Sequence, residues 1–172
     1  MTGLFQGRSV EVTFRSSLSA WRGRLLTGQS KGRPVHAATF LRQRRIVLDC
    51  ALLEDPVELS RILAHELFHF AWIRLGNPCR RSWEALLLAE FQARARGELG
   101  WSAEHRKRIL TSSDQRHRTI RWREYICESF CDSAACFQAG VRSHAEFTLA
   151  PRFLRIRRIW FQQLLAGGKI SI

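Results

Sequence analysis

The chain has 172 residues, 45% of them hydrophobic and 25% charged, a balance that excludes an intrinsically disordered chain and allows one domain with a real core. Net charge is +13, and only Lys31, Lys107 and Lys169 are lysines, so the excess is carried by arginines along the whole chain. No apolar run reaches the roughly 18 residues of a membrane span, and no basic-then-apolar leader opens "MTGLFQGRSVEVTF". Five cysteines (Cys50, Cys79, Cys127, Cys131, Cys136), three of them crowded together, make a poor disulfide framework and point to a reducing cytoplasm. Their spacing is unlike a structural zinc site, and they read as small apolar fillers.

In chain order, "SVEVTFRS" (9–16) alternates like a strand. "SLSAWRGRLLTGQSKGRP" is ambiguous and ends in turn-forming residues. "VHAATFL" and "RRIVLDC" read as two strands joined near Arg42 and Gln43. A helix then runs from Asp55 to Leu75, with Asp55 as N-cap, Pro56 in the first helical position, Glu58 as the acid of a capping box, and "GNP" (76–78) as the stop. At about 20 residues it would be about 30 Å long. Further helices are expected over 81–96, after Ser102, from Thr119 to Ala139, and from Pro151 to Gly167, with a loop at 111–118. In the last helix, Phe153, Ile156, Trp160 and Leu164 are expected to face the core, with Arg155, Arg157 and Arg158 in solvent. Strands first and helices after is an α+β order, with no evident domain boundary, so 1–172 reads as a single domain.

The first long helix carries "HELFH", His65 to His69. Residues four apart share a helix face, so both imidazoles can reach one zinc ion at about 2.0–2.1 Å. Glu66 lies about 100° round the axis and can flank the metal as a base. A bound zinc lowers the pKa of its water to about 7, within reach of such a carboxylate. Catalytic zinc takes three protein ligands, and the extended motif that adds a histidine fails here, because Trp72 and Leu75 stand where glycine and histidine are needed.

A glutamate can supply the third ligand instead. "ESFCD" on the 119–139 helix offers Glu128, with Asp132 one turn on to accept the outer N–H of a ligand histidine. Glu124, Glu90 and Glu98 are rivals, and Glu128 is favoured because an acid follows it by four residues. His144, His117 and Tyr125 stand in no motif, and His144 and Tyr125 read as packing or surface residues rather than as stabilisers of an oxyanion.

"HELFH" followed by "ESFCD" resembles the gluzincin clan of zinc metallopeptidases, whose pattern is H-E-x-x-H and then E-x-x-x-D. The resemblance implies one zinc per chain on His65, His69 and Glu128, Glu66 as general base and acid, and Asp132 behind the ligands. It also implies a small zincin-like α+β domain: an N-terminal twisted antiparallel or mixed sheet, the active-site helix packed under it, and a C-terminal helical half. Residues 35–40 would be the sheet edge that receives substrate backbone, with 44–49 inside it. The expected activity is hydrolysis of a peptide or protein substrate. The alternative is a non-enzymatic module of the same fold whose arginines engage nucleic acid, another polyanion or a protein partner.

Overall fold

A computed structural model describes residues 3–28 and 31–172, so Met1 and Thr2 of the expected leaderless start and Gln29 and Ser30 of the expected turn lie outside the described residues. The architecture is α+β. Strand β1 (Phe5–Gln6) precedes β2 (Glu11–Arg15), then come the short strands β3 (Ser19–Trp21), β4 (Arg24–Leu26) and β5 (Arg33–Pro34), then β6 (Ala37–Phe40) and β7 (Arg45–Asp49). Six helices follow: α1 (Pro56–Arg74), α2 (Asn77–Gln92), α3 (Trp101–Arg108), α4 (Ser112–His117), α5 (Ile120–Gln138) and α6 (Pro151–Ala166). Strand β8 (Ile170–Ser171) closes the chain by pairing in parallel with β1.

The sheet that matters for the site has the order β2-β7-β6. Strand β7 is central and parallel to β2, while β6 is antiparallel to β7 and forms an edge beside α1. The central strand buries Ile46, Val47 and Leu48 in succession, as a strand covered on both faces does. Strands β3, β4 and β5 make a separate small sheet. Its first hairpin turns on Arg22 and Gly23, both with positive φ, the pairing a two-residue type I′ turn needs. With arginine rather than asparagine in the first position, that turn was not legible in the sequence.

Helix α1 is apolar on two sides. Phe70 packs with Ile46, Leu48 and Leu52 under the sheet, while Phe68 and Ala71 join Trp83, Phe130, Ala134 and Phe161 in the helical core. The Asp55 carboxylate accepts from the Val57 and Glu58 amides at 3.1 and 3.0 Å and so caps the helix. The expected capping box is half made: the Glu58 carboxylate turns to the Arg61 guanidinium at 2.6 Å, a stronger charge-assisted partner than an amide. No helix among the described residues is long and apolar enough to cross a membrane.

Four other expectations are corrected. Helix α2 begins at Asn77, because Pro78 opens it rather than only ending α1. Gly100, not Ser102, precedes α3. Residues 112–117 form a helix, started by a reciprocal box between Thr111 and Asp114. In α6 the buried positions are Phe153, Arg157 and Phe161, four residues apart, and Ile156 is exposed.

Arg157 is 0% exposed, and its burial has a counterpart. Its guanidinium donates to both Glu90 oxygens at 2.9 and 2.6 Å and to Glu98 at 2.7 Å. Lys107 adds a second cation to Glu98 at 2.9 Å, and the Tyr125 hydroxyl donates to it at 2.6 Å. Two cations thus meet two carboxylates, which offsets a desolvation cost that none of the four could bear singly. Burial opposes ionisation of Glu98, but Arg157 and Lys107 draw its pKa down to about 2 from an ordinary 4.5.

Two results are expected. Arg157→Ala, which strands the buried Glu90 and leaves Glu98 with Lys107 as its one cation, should cost about 3–5 kcal/mol in denaturant titrations, and an unchanged midpoint would refute the network. Because the folded pKa of Glu98 lies below its unfolded value, its contribution is complete above about 4.5 and is lost as the pH falls toward about 2. Glu98→Gln should therefore flatten the loss of stability over that interval, as measured by denaturation at stepped pH.

Candidate metal centre

Helices α1 and α5 pack along their lengths, and this contact builds the site. His65 and His69, one turn apart on α1, face Glu128 and Asp132, one turn apart on α5. His65 Nε2 lies 3.1 Å from His69 Nε2 and 3.3 Å from Glu128 Oε2, and His69 Nε2 lies 3.9 Å from the same oxygen. A tetrahedral zinc with bonds of about 2.0–2.1 Å has ligand atoms about 3.3 Å apart. The three observed edges bracket that value. Two imidazole nitrogens and a carboxylate oxygen aimed at one point form a donor set that suits zinc, so the residues fit the ion.

The partners behind these atoms are also in place. His65 Nδ1 lies 2.7 Å from Asp132 Oδ1, and Asp132 Oδ2 accepts from the Ala103 amide at 2.8 Å. One carboxylate thereby fixes the ring of α1 to the start of α3. Gly100 makes this possible: a Cβ there would run into the Asp132 carboxylate. Arg106 of α3 holds Glu128 Oε1 at 3.2 Å and leaves Oε2 directed at the histidines.

Electrostatics follow from this packing. Burial disfavours a charged His65, yet the Asp132 carboxylate and the contact with Glu128 raise its pKa well above the ordinary histidine value. Burial likewise opposes the Glu128 charge, but the bond from His65, with His69 and Arg106 near, brings its pKa down to about 2. A ready anion therefore faces the two rings.

Glu66 points elsewhere, toward the sheet edge. The Thr39 hydroxyl of β6 donates to Glu66 Oε2 at 2.5 Å. Glu66 and His65 line a cleft of about 310 Å³ whose other walls include Arg33, His36, Arg61 and Trp101. The Arg33 guanidinium stacks on Trp101 at 3.6 Å, at the mouth.

The rival residues lie apart from this centre. Glu90 and Glu98 are engaged by Arg157, and Glu124 is exposed. Tyr125 is buried against Glu98, His117 is exposed at the end of α4, and His144 sits 3.5 Å from Glu58. Sequence reasoning missed Thr39, Gly100 and Arg106, which carry no motif and come to the site through tertiary packing alone. It also read the cysteines as filler. Cys127 and Cys131 bring their sulfurs to 3.6 and 3.5 Å from His69 Nδ1, and their i,i+4 spacing was the only part of this legible in the sequence.

In the metal-free protein, Asp132→Asn and Gly100→Ala should both lower the His65 pKa, the first by removing the carboxylate charge and the second by displacing it. NMR titration of the imidazole reads this, and an unchanged midpoint in both variants would show that Asp132 does not hold His65. Comparisons with protein-family models, curated proteins and solved structures find no match to this chain, and the case for a function rests on the site's own atoms.

Proposed function

We propose that this chain is a small zinc-dependent metallopeptidase, with His65, His69 and Glu128 as metal ligands, Asp132 behind His65, and Glu66 as general base. The observation that carries the reading is the triangle of 3.1, 3.3 and 3.9 Å between the two imidazole nitrogens and the Glu128 oxygen, with a carboxylate-lined cleft alongside. The likeness of "HELFH" and "ESFCD" to the gluzincin pattern supports the same assignment.

Zinc held there supplies Lewis acidity, which polarises a peptide carbonyl and makes water nucleophilic at neutral pH. The protein supplies the rest. Edge strand β6 offers backbone groups to an extended peptide, which can join the sheet as a further strand. Glu66 takes the proton of the attacking water and delivers it to the departing amine nitrogen. The Thr39 hydroxyl, at 2.5 Å, fixes the orientation of that carboxylate. Asp132 keeps the Nδ1 proton on His65, so that Nε2 presents a lone pair to the metal. Arg106, on the other Glu128 oxygen, leaves one oxygen for the ion. Five free thiols accord with a reducing, cytoplasmic setting.

Glu66→Gln should keep the zinc content of the wild type and lower cleavage of a peptide library by about 10²–10⁴-fold. Zinc binding with no metal-dependent cleavage by the wild type would instead favour a non-enzymatic module, whose exposed Arg152, Arg155 and Arg158 on α6 would then be tested for salt-dependent binding to nucleic acid.

A further inference from the structure

His69 has two ring nitrogens, and the proposed peptidase site uses one. Nε2 faces His65 and Glu128, while Nδ1 faces the sulfurs of Cys127 and Cys131 at 3.6 and 3.5 Å. We infer that His69 Nδ1, Cys127 and Cys131 form a second metal site, for a thiophilic cation such as Zn²⁺ or Cu⁺, set back to back with the first through the His69 ring. The inference shares His69 with the peptidase reading but stands on its own donor atoms.

Geometry supports it first. With metal–nitrogen bonds of about 2.0–2.1 Å and metal–sulfur bonds of about 2.3 Å, a tetrahedral ion holds nitrogen and sulfur about 3.5–3.6 Å apart. Both observed separations have that value. A single ring N–H directed at one thiol accounts for one such contact; two sulfurs equidistant from one nitrogen define a point between all three. The three donor atoms lie within 4.8 Å of one another.

The elements hold the donors in register. Cys127 and Cys131 are one turn apart on α5, and α1 brings His69 opposite them. At that helical spacing the two Cβ atoms are about 5–6 Å apart, beyond the 3.5–4.5 Å of a disulfide, so the helix keeps the pair as thiols. Two thiolates and an imidazole select soft or borderline ions over Mg²⁺ and Ca²⁺. Cys131 is buried and Cys127 half-buried, so the site is approached past Cys127. Loading this site alone releases two protons to solvent, one from each thiol, while the ring keeps its proton on Nε2; filling both sites releases that third proton as well and makes the ring a bridging imidazolate.

The test is a Co²⁺ titration of the metal-free full chain in a thiol-free reductant. The wild type should take up two ions and develop thiolate-to-cobalt charge-transfer absorption in the near ultraviolet. Cys127→Ser/Cys131→Ser should lose that absorption and one ion, and Cys127→Ser alone should weaken it. Glu128→Gln should keep the absorption while losing the other ion. No charge-transfer band in the wild type, or an unchanged band in the double variant, would overturn the second site. A single ion in the wild type that is lost in Glu128→Gln, with no band in any form, would leave the peptidase site standing alone; a band with a single ion in the wild type, both lost in the double cysteine variant, would instead remove the peptidase site. Should the double variant not fold, Zn²⁺ protection of wild-type Cys127 from alkylation decides the matter, and undiminished alkylation overturns the inference.

Discussion

A fully buried guanidinium organises the helical half of this protein. Arg157 sits at the centre of α6 with no solvent contact, and a charge there is tolerable only if opposite charges are fixed around it. Glu90 from α2 and Glu98 from the segment before α3 meet it, and Ser133 of α5 also accepts from it at 3.2 Å. Tyr125 and Ser129, also on α5, bind Glu98. Four elements are therefore tied at one point by directional bonds rather than by apolar contact alone. The geometry of such bonds is narrow, so they set where α5 lies along its length and not merely that it is buried.

Helix α5 matters because the adjacent face carries Glu128 and Asp132. One face is locked by the Arg157 network and the neighbouring face by the buried Asp132, which joins the His65 ring to the Ala103 amide. The two locks act on the same turns of the helix, Asp132 lying next to Ser133. A metal site needs donor atoms placed to within about half an ångström, by side chains that packing and supporting hydrogen bonds hold in one rotamer. Here the precision comes from charges and hydrogen bonds in the second layer. Helix α1 is fixed in turn by the sheet on one side and α5 on the other, which leaves its two histidines at the seam and turns Glu66 toward the edge strand.

The division between what the sequence disclosed and what it concealed has a physical basis. Helix α1 was legible from Asp55, Pro56 and the apolar run up to Arg74, because capping and periodicity are local signals. The pairing of β6 with β7 and the extent of α5 were legible for the same reason. The spacings placed His65 with His69 and Glu128 with Asp132 on one face of their own helices, and the resemblance to the gluzincin pattern, not the spacing, implied that the two faces meet. The rest depends on contacts between distant residues. Arg157 looked like a solvated residue on a basic helix, since nothing nearby in sequence announces Glu90 and Glu98 as its partners. Those same two glutamates looked like possible ligands because their counter-ion is invisible until the chain folds. Gly100 carries no local signal, although the Asp132 carboxylate fills the space where a side chain would go. Cys127 and Cys131 looked apolar because cysteine usually is, and only the position of His69 gives their sulfurs a target.

The central claim is that His65, His69 and Glu128 converge on one ion. Diffraction from zinc-loaded crystals, recorded on both sides of the zinc absorption edge, tests it most directly. The account predicts an anomalous peak within bonding distance of His65 Nε2, His69 Nε2 and Glu128 Oε2. Crystals loaded with excess zinc that show no anomalous density among those three atoms would contradict it.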